Sequence, residues 1–406
     1  MTKAQFDIII VGGGLVGVSL ALALRQQGLA IAMVEAVPPR VAQQPGFDAR
    51  TLALSWTSHQ VLSALGLWAE IAPHVTPMEH IHVSDKGHFG FTRLHARDYH
   101  VPALGYVIEI QRLGKLLYET LEQTDVTRFC PATLEQANRD GNTWELTIRG
   151  ESGPMTLTTG LLIGADGAQS PLRQQLQLTT REKDYQQSAI VTTVSTSLAH
   201  DNTAFERFTP KGPIALLPMT HDRQALIWTL DNGDFAPLMA LSDELFLQQV
   251  QQSFGYRRGK FLRVGKRMSY PLKFIHCEEQ VREGFVLLGN AAHTLHPVAA
   301  QGFNLCLRDI AELAEVVVNA KLAGNDFASL ATLDTYQARV NQYQSKTIKI
   351  TDSIVKYFSD DPYLLTKTRN AGLVLLDTLP MLKRRFVKRT MGTAGNLPKL
   401  CRGLEL

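Results

Sequence analysis

The sequence predicts an α/β protein: a Rossmann-like nucleotide-binding domain with an inserted antiparallel-sheet domain and C-terminal helices. Three observations predict it. A β-branched and aromatic run, Phe6 to Val11, leads into Gly12-x-Gly14-x-x-Gly17 and an apolar helical run. Between about Tyr185 and Gln280 that texture gives way to short alternating segments separated by turn residues. From Leu330 the pattern is mostly helical.

Each element follows in order. Phe6 to Val11 alternates little, as a parallel strand buried on both faces requires. The helical run after the glycines ends at Gly28, and a second strand, Ala30 to Val34, delivers Glu35 at its carboxyl end. Arg50 to Trp68 reads as helical from Leu52, Leu54, Leu62, Leu65 and Leu67, and Met78 to Gly105 as short strands and loops. A helix is expected from Leu113 to Gln123. Strands follow near Val126–Cys130 and Trp144–Ile148, flanking Asn138 to Asn142, whose Asp140–Gly141 pair signals a turn. Leu161 to Ile163 reads as a short buried strand returning to the first domain. In the insertion, Ala189–Val194, Ala204–Phe208, Ile214–Leu217 and Ala225–Leu230 alternate as strands, and a helix is expected from Glu244 to Phe254. Nucleotide-fold signals resume at Val281, with a strand at Phe285–Leu288, a turn-rich loop from Gly289 to Gln301 and a long helix from Phe303 to Ala320. The expected ranges are 1–183 and 281–330 for the nucleotide domain, 184–280 for the insertion and 331–406 for the helical region.

Composition bounds the function. With 406 residues the chain exceeds the roughly 250 that one core usually holds. An apolar fraction of 45% and a charged fraction of 19% exclude general disorder, collagen and coiled coil. Cys130, Cys277, Cys306 and Cys401 lie far apart, which excludes a cysteine zinc site and argues against a disulfide-stapled secreted protein. The apolar stretch Ile8 to Leu24 contains four glycines, lacks the flanks of a signal peptide and is too short to span a bilayer. A cytoplasmic chain is expected, with membrane contact at most peripheral, at the inner membrane. Charge is uneven: 12 Lys/Arg and 5 Asp/Glu from Asn341 onward, against 29 and 33 before it. The densest part, Leu382 to Thr390, follows apolar residues and suits either an anionic membrane surface or a partner protein; the bland alternative is a solvated helix end. No recognition motif accompanies the charge, so nucleic acid is not expected.

Three constellations carry chemistry. In Gly12-x-Gly14-x-x-Gly17 the first glycine permits a tight turn, the second lets backbone approach a pyrophosphate, and the third permits close helix–strand packing. Glu35, 23 residues after Gly12, is placed for ribose hydroxyls and is hostile to a 2′-phosphate, so FAD or NAD is expected rather than NADP. Gly164 to Pro171 puts Asp166 and Gly167 after a buried strand, with Ser170 as a helix cap and Pro171 at the first helical position. A plain strand–turn–helix connection is the equal alternative there. Gly289 to Asn304 lines small residues up between a strand and a long helix, so that backbone amides near Gly302 can face a flat polar ring or an anion.

Together these three stretches resemble the signatures of the FAD-dependent aromatic hydroxylases, over nearly the whole chain. Leu295 to Asn304, LHPVAAQGFN, with Gly289-Asn290-Ala291-Ala292-His293-Thr294 and Pro45 to Arg50, is similar to the branch that hydroxylates polyprenylated ring precursors of ubiquinone. The resemblance implies an FAD-binding Rossmann-like domain with a substrate domain inserted in it. It implies non-covalent FAD, with Gly12, Gly14 and Gly17 at the pyrophosphate and Glu35 at the adenosine ribose. Arg50 would lie near the pyrophosphate and ribityl region, Asp166 in a motif shared by FAD and the nicotinamide donor, and Asn290 at the ribityl chain or pyrophosphate. Pro297 and the Gln301–Gly302 amides would border the flavin ring, with Asn304 just beyond. It further implies reduction by NAD(P)H, O2 addition to a flavin C4a-hydroperoxide, and oxygen transfer to a phenol ring without a protein nucleophile. Other proteins of ubiquinone biosynthesis are the implied partners.

Three departures from the family pattern cover four positions. Asn290 stands where aspartate is usual, Ala300 and Cys306 where glycine is usual, and Ile110 where a polar residue is often found. His296 is a candidate for a substrate hydrogen bond, as is His293, although ordering the loop is the commoner role for both. His80, His82 and His88 lack the pattern of a metal site, and no metal is expected. Three rival readings are a hydroxylase of another ring position in the same pathway, a flavin halogenase, whose W-x-W-x-I-P segment finds no match among Trp56, Trp68, Trp144 and Trp228, and a non-catalytic FAD-fold scaffold.

Overall fold

The computed structural model describes residues 3–38, 50–296, 301–359 and 363–406, with backbone alone at 3, 351–352, 354–359 and 363–369. Strand β1 (Lys3–Val11), helix α1 (Leu15–Leu24) and β2 (Ile31–Val34) form the opening unit. Ile8 and Ile10 pack into the core that holds α1, whereas Ile9 and Val11 pack into a second core on the opposite face of the sheet. That two-sided burial is why the run reads as uninterrupted apolar sequence.

Next come β3 (Thr51–Ser55), α2 (Trp56–Ala64), α3 (Trp68–Ile71), β4 (Thr76–Met78), β5 (His80–Asp85), β6 (Phe91–His95), β7 (Gly105–Glu109) and α4 (Ile110–Leu121). The helix expected from Arg50 is a strand up to Ser55. Leu52 and Leu54 pair with Ile108 and Tyr106 across an antiparallel ladder, a contact more than fifty residues away that overrides local leucine spacing. Ser55 then caps α2, its side chain accepting from Ser58 N–H.

The strands β8 (Thr127–Phe129), β9 (Ala132–Asp140), β10 (Thr143–Gly150) and β11 (Gly153–Gly164) follow, and then α5 (Pro171–Gln175). β9 and β10 form a hairpin closed at Gly141, which has φ +56°. The strand expected at Leu161–Ile163 is the inner end of twelve-residue β11, which pairs with β10 at one end and with β1 along most of its length. Across the first sheet the order is β18-β19-β11-β1-β2-β8, where β18 (Val281–Arg282) and β19 (Phe285–Leu287) belong to the returning segment.

Between them run β12 (Thr180–Thr196), β13 (Thr203–Phe208), β14 (Ile214–Pro218), β15 (Arg223–Asp231), α6 (Asn232–Met239), α7 (Asp243–Phe254), β16 (Phe261–Val264) and β17 (Met268–Cys277). With β20 (His293–Thr294) they make the second sheet, ordered β20-β17-β12-β15-β14-β13-β5-β6, with β16 on β12. One face buries Trp228, Leu216 and Leu226 against Phe246 and Phe254 of α7. Because β5 runs parallel to β13, residues 80–95 also belong to this sheet, and residues 184–280 do not build it alone.

The chain ends in α8 (Gly302–Leu322), α9 (Leu330–Ser359), α10 (Tyr363–Thr378) and α11 (Pro380–Thr390). α8 packs on α1, and α9 buries Leu333, Tyr336 and Val340 against α8. α10 is held on β6 where Gly90 N–H donates to Asn370 and Thr92 donates to Leu373 O, and α11 buries Val387 beside Leu94 and Leu104.

Packing at the fingerprint gives a stability prediction. A Cβ at Gly17 would lie 1.9 Å from Gly12 O, backbone that cannot swing away. Gly17→Ala is expected to destabilise the fold by about 3 kcal/mol, the upper range for overpacking, read from the denaturation midpoint.

Candidate functional site

Three loops meet at the carboxyl edge of the first sheet. Gly12 adopts φ +108°, and a Cβ there would stand 2.3 Å from Ala165 O, so the β1–α1 and β11–α5 turns touch through backbone. Gly14 is different: a Cβ there would meet no atom within 4 Å. It begins α1 without a side-chain cap and lines a cavity of about 710 Å³, so first-turn N–H groups stay available to an anion.

Glu35 closes this turn from the other side. Its carboxylate accepts from the N–H groups of Gly13 and Val37, while the Tyr118 hydroxyl donates to Gly13 O. A cleft of about 290 Å³ opens beside it, lined by Met33, Pro38, Tyr118, Glu122, Arg128 and Cys130. A carboxylate has about four acceptor positions, so capacity for ribose hydroxyls remains. Burial, and then the Glu35 charge, push the Tyr118 hydroxyl well above its ordinary pKa and keep it a donor. Sequence reading missed Tyr118, Arg128 and Cys130. The available signal was a tyrosine beside the buried stripe Leu113, Leu117 and Leu121 of α4.

Asp166 follows β11. One carboxylate oxygen accepts from Leu172 N–H at 3.0 Å, whereas Oδ1 is buried without a partner. Burial raises its pKa, opposed by hydrogen bonds from Ser170 and Leu172. Ser170 caps α5 as expected, accepting from Arg173 N–H. Arg173, which the sequence did not single out, is buried and donates to Ala168 O at 2.6 Å and Ala291 O at 2.8 Å, locking the Asp166 loop to the Gly289–Ala291 turn.

Arg50, Asn290, Gln301, Gly302 and Asn304 share the wall of one cavity with Gly14. The Arg50 guanidinium lies 5.2 Å from the Tyr270 ring centroid. Gln301 precedes the first turn of α8, and a Cβ at Gly302 would meet nothing within 4 Å, so small residues here leave open space over a helix start. Asn304 also serves the fold. Its Oδ1 accepts from Ser55 N–H and Ser58 Oγ and its Nδ2 donates to Ala53 O, which ties α8 to β3 and α2. Pro297 and the Pro45–Ala49 stretch lie outside the described residues.

Neither loop histidine reaches the cavity. His296 is 1% exposed and packs edge-on against Tyr185, with Nε2 3.4 Å from Gln187; burial, with Lys183 adding to it, lowers its pKa to about 4. His293 is buried against Asp309 at 2.6 Å, and Tyr343 donates to the other oxygen of that carboxylate. Both are core histidines that hold the loop. His80 pairs with His95 at 2.9 Å across the β5–β6 ladder, and His82 stacks on Phe91.

The cavity, about 710 Å³, continues from these loops onto one face of the second sheet. Ile81 and Val83 of β5, Ala204 of β13, Ala215 and Leu217 of β14 and Ile227 of β15 line it, and Phe386 and Thr390 of α11 close its side. Glu206 of β13 stands among them. Burial alone raises its pKa to about 7. The sequence reading passed over Glu206, because a glutamate in an alternating strand ordinarily faces water.

Among the described residues, the open space over Gly14 and Gly302, the free N-terminus of α1 and the orphaned Asp166 oxygen fit a bound dinucleotide. Residues 5–351 match a family model described as an FAD binding domain. The chain is similar to ubiquinone hydroxylase UbiL of Rhodospirillum rubrum, 34% identical over 98% of this chain and 93% of that one. It is similar also to 3-demethoxyubiquinol 3-hydroxylase of Escherichia coli, 31% identical over 97% of this chain and all of the relative. Its fold is that of p-nitrophenol 4-monooxygenase PnpA of Pseudomonas putida, with TM-score 0.78, 17% identity and 96% and 99% of the two chains covered.

Two expectations follow. Gly14→Ala is expected to fold with unchanged stability yet lose FAD more readily on dilution, and Asp166→Ala to lose FAD likewise while giving up about 1 kcal/mol of stability with the Leu172 N–H bond, both followed by flavin fluorescence on release. The second concerns pH. Glu206 holds its proton more tightly folded, at about 7, than at its ordinary 4.5. Wild-type stability should therefore fall as pH rises through that window. Glu206→Gln should melt like wild type at the acid end and above it beyond the alkaline end, in paired thermal scans.

Proposed function

As a member of the FAD-binding-domain family that the ubiquinone hydroxylases share, this chain is an FAD-dependent aromatic-ring monooxygenase, and we propose that it hydroxylates a polyprenylated phenol in ubiquinone biosynthesis. The substrate we favour is 2-octaprenyl-6-methoxyphenol, with NAD(P)H as electron donor and O2 as oxygen source. One observation carries the reading: the cavity that begins at Gly14 and Gly302 runs on without interruption along an apolar sheet face to α11. A polar cofactor end and an apolar tail end are what an aromatic head on a long prenyl chain requires.

FAD, when bound, supplies the two-electron chemistry with NAD(P)H and the activation of O2. The chain's own residues do the rest. Backbone N–H groups of the α1 start at Gly14 hold the pyrophosphate, and Glu35 holds the adenosine ribose through capacity left by its two backbone bonds. Asp166 offers its unpartnered oxygen to a hydroxyl donor. Asn290 and the Gln301–Gly302 backbone, which line the same cavity, would border the flavin. Ile81, Val83, Leu217 and Ile227 exclude water from the reacting ring, which protects reactive oxygen species from wasteful decay.

α11 links this cavity to a surface. Phe386 and Thr390 face inward, while Arg384, Arg385, Lys388 and Arg389 are exposed. Beside them Val374, Leu375, Leu379, Met381 and Leu382 form a run of exposed apolar residues, Met381 at 72%. Apolar residues bordered by cations suit an anionic lipid surface, each cation contributing about 1 kcal/mol. No described helix is long and apolar enough to cross a membrane, so the contact proposed is peripheral. Lys383 stands apart from the cluster: it is half-buried and paired with Asp377 at 2.9 Å.

Purified protein should release intact FAD on heating. With NAD(P)H and O2 it should add one oxygen atom to a short-prenyl 2-methoxyphenol, seen by mass analysis; bleaching without ring oxidation would count against the reading, and absence of flavin would leave a scaffold. Replacing Arg384, Arg385, Lys388 and Arg389 with glutamine should abolish flotation with anionic liposomes while FAD content and turnover of the short substrate hold. Salt should weaken wild-type flotation, since such fields are screened over about 10 Å at 0.1 M. Flotation that needs an added pathway protein would place the contact on that partner.

A further inference from the structure

On the sheet face that walls the cavity, side chains of β5, β13, β14 and β15 alternate inward, and the inward set is apolar except at Glu206 and Thr229. Glu206 sits mid-strand, in register with Val83 on one side and Ala215 on the other. Both neighbours line the same cavity. Among the described residues its carboxyl has no hydrogen-bond or ion-pair partner. An ionisable group placed without a partner in an apolar wall costs stability, and such groups concentrate where ligands are handled.

The surroundings define what it can handle. β5 presents Val83, β14 presents Ala215 and α11 presents Phe386 and Thr390, none of which titrates in the range of a carboxyl. Its strand neighbour Arg207 and the nearby His82 belong to the other face, where His82 packs on Phe205. The charged side chain that shares the cavity wall is Arg50, whose guanidinium lies against Tyr270. A carboxylate is an acceptor only, so the complementary ligand group is a neutral O–H or N–H donor on an otherwise apolar body. A second carboxylate or a phosphate would be repelled.

We propose that Glu206 is the catalytic base that accepts the phenolic proton of the substrate. This rests on the phenol-hydroxylase reading above. In the bound state the phenol O–H donates to the carboxylate. The oxidant is the O2-derived species that FAD and NAD(P)H would supply: as the ring carbon takes one oxygen atom from it, the oxidant's O–O bond breaks and the other oxygen leaves with that bond's electron pair, while the phenolic O–H bond breaks, its electron pair becomes the C=O of a cyclohexadienone, and the proton passes to Glu206. Rearomatisation then releases the proton of the hydroxylated carbon and restores the ring hydroxyl. The carboxyl's raised pKa matches this duty, because a base near the working pH combines availability with driving force.

The test uses the FAD-loaded protein and two probes, 2-methoxyphenol and its methyl ether, with binding titrated between about pH 5.5 and 8.5, either side of that carboxyl's titration. Wild type should bind the phenol about tenfold more tightly at the alkaline end, the worth of one charge-assisted hydrogen bond, while the ether gains nothing. In Glu206→Gln the phenol's pH dependence should vanish, and the acid limb of the kcat profile with it; Glu206→Asp should restore part of both. A merely structural carboxylate would change stability without separating phenol from ether. Equal phenol preference and equal kcat profiles in wild type and Glu206→Gln would overturn the assignment. If wild type neither binds nor hydroxylates any phenol, the function reading itself falls and this assignment falls with it.

Discussion

The site depends on a row of backbone hydrogen bonds that continues past the ends of the parallel strands. Glu35 N–H donates to Phe129 O, Gly12 N–H to Val34 O, Ala165 N–H to Val11 O and Leu288 N–H to Gly164 O, all between 2.7 and 2.9 Å. Each bond joins the first residue beyond one strand to the end of its neighbour. Four segments, those that follow β1, β2, β11 and β19, are thereby held side by side at one edge. The bonds are backbone to backbone, so the loops' side chains are left for ligands, and contacts as close as Gly12 to Ala165 O follow from the register. Arg173 adds a side-chain strut between two of the loops. An edge so fixed presents N–H groups and one orphaned carboxylate oxygen without rearranging, which is the preorganisation a large cofactor needs.

How much of this was legible in sequence follows from how local each feature is. The glycine fingerprint was readable because its causes act within six residues: a turn, an open helix start and a helix packed on its own strand. The Ser170 cap and the α8 start were readable for the same reason. The Thr51–Ser55 strand was not, because its partner is β7 and nothing within its own neighbourhood outweighs the leucine spacing. Asn304 lines the cavity as its motif position suggests, but its bonds to Ser55, Ser58 and Ala53 depend on β3 and α2, some 250 residues earlier, and could not be read locally. His296, a weak candidate by its place in the motif, is buried with its ring edge-on to Tyr185 of β12, a long-range contact that the local sequence does not announce. Glu206 escaped notice for a similar reason. Alternation in a strand says that two faces differ, but only the assembled sheet shows that its face closes a cavity rather than meeting water.

Electrostatics in the cavity is accordingly sparse and uneven. The cofactor end works through dipoles, helix N–H groups and a carboxylate already neutralised in part by backbone donors. The far end works through apolar side chains and a single carboxyl. In a low-dielectric enclosure one charge acts more strongly than several would in water, because nothing nearby screens it. A second charge beside Glu206 would fix its protonation state. Isolation leaves that state free to change as a ligand arrives, which fits the proton-accepting role proposed for this group among apolar neighbours.

α11 shows how one short helix can serve two solvents. Val387 is anchored beside Leu94 and Leu104, and Lys383 is tied to Asp377, which also accepts from Arg93 N–H of β6. Those two anchors set the rotation of the helix about its axis. With rotation set, positions three and four apart must point alike. Phe386 and Thr390 therefore fall together on the cavity side, while Arg384, Arg385, Lys388 and Arg389 fall toward the outside. A tail leaving the cavity past Phe386 would emerge beside Met381 and Leu382 rather than into open water. The outward charges do not contribute to the core, so they are free to answer to whatever lies outside, and the fold alone does not explain why four cations are gathered on one turn-and-a-half of helix next to exposed apolar side chains. The peripheral lipid contact proposed above would answer to both features at once, the cations meeting anionic head groups and the apolar side chains the interface beside them.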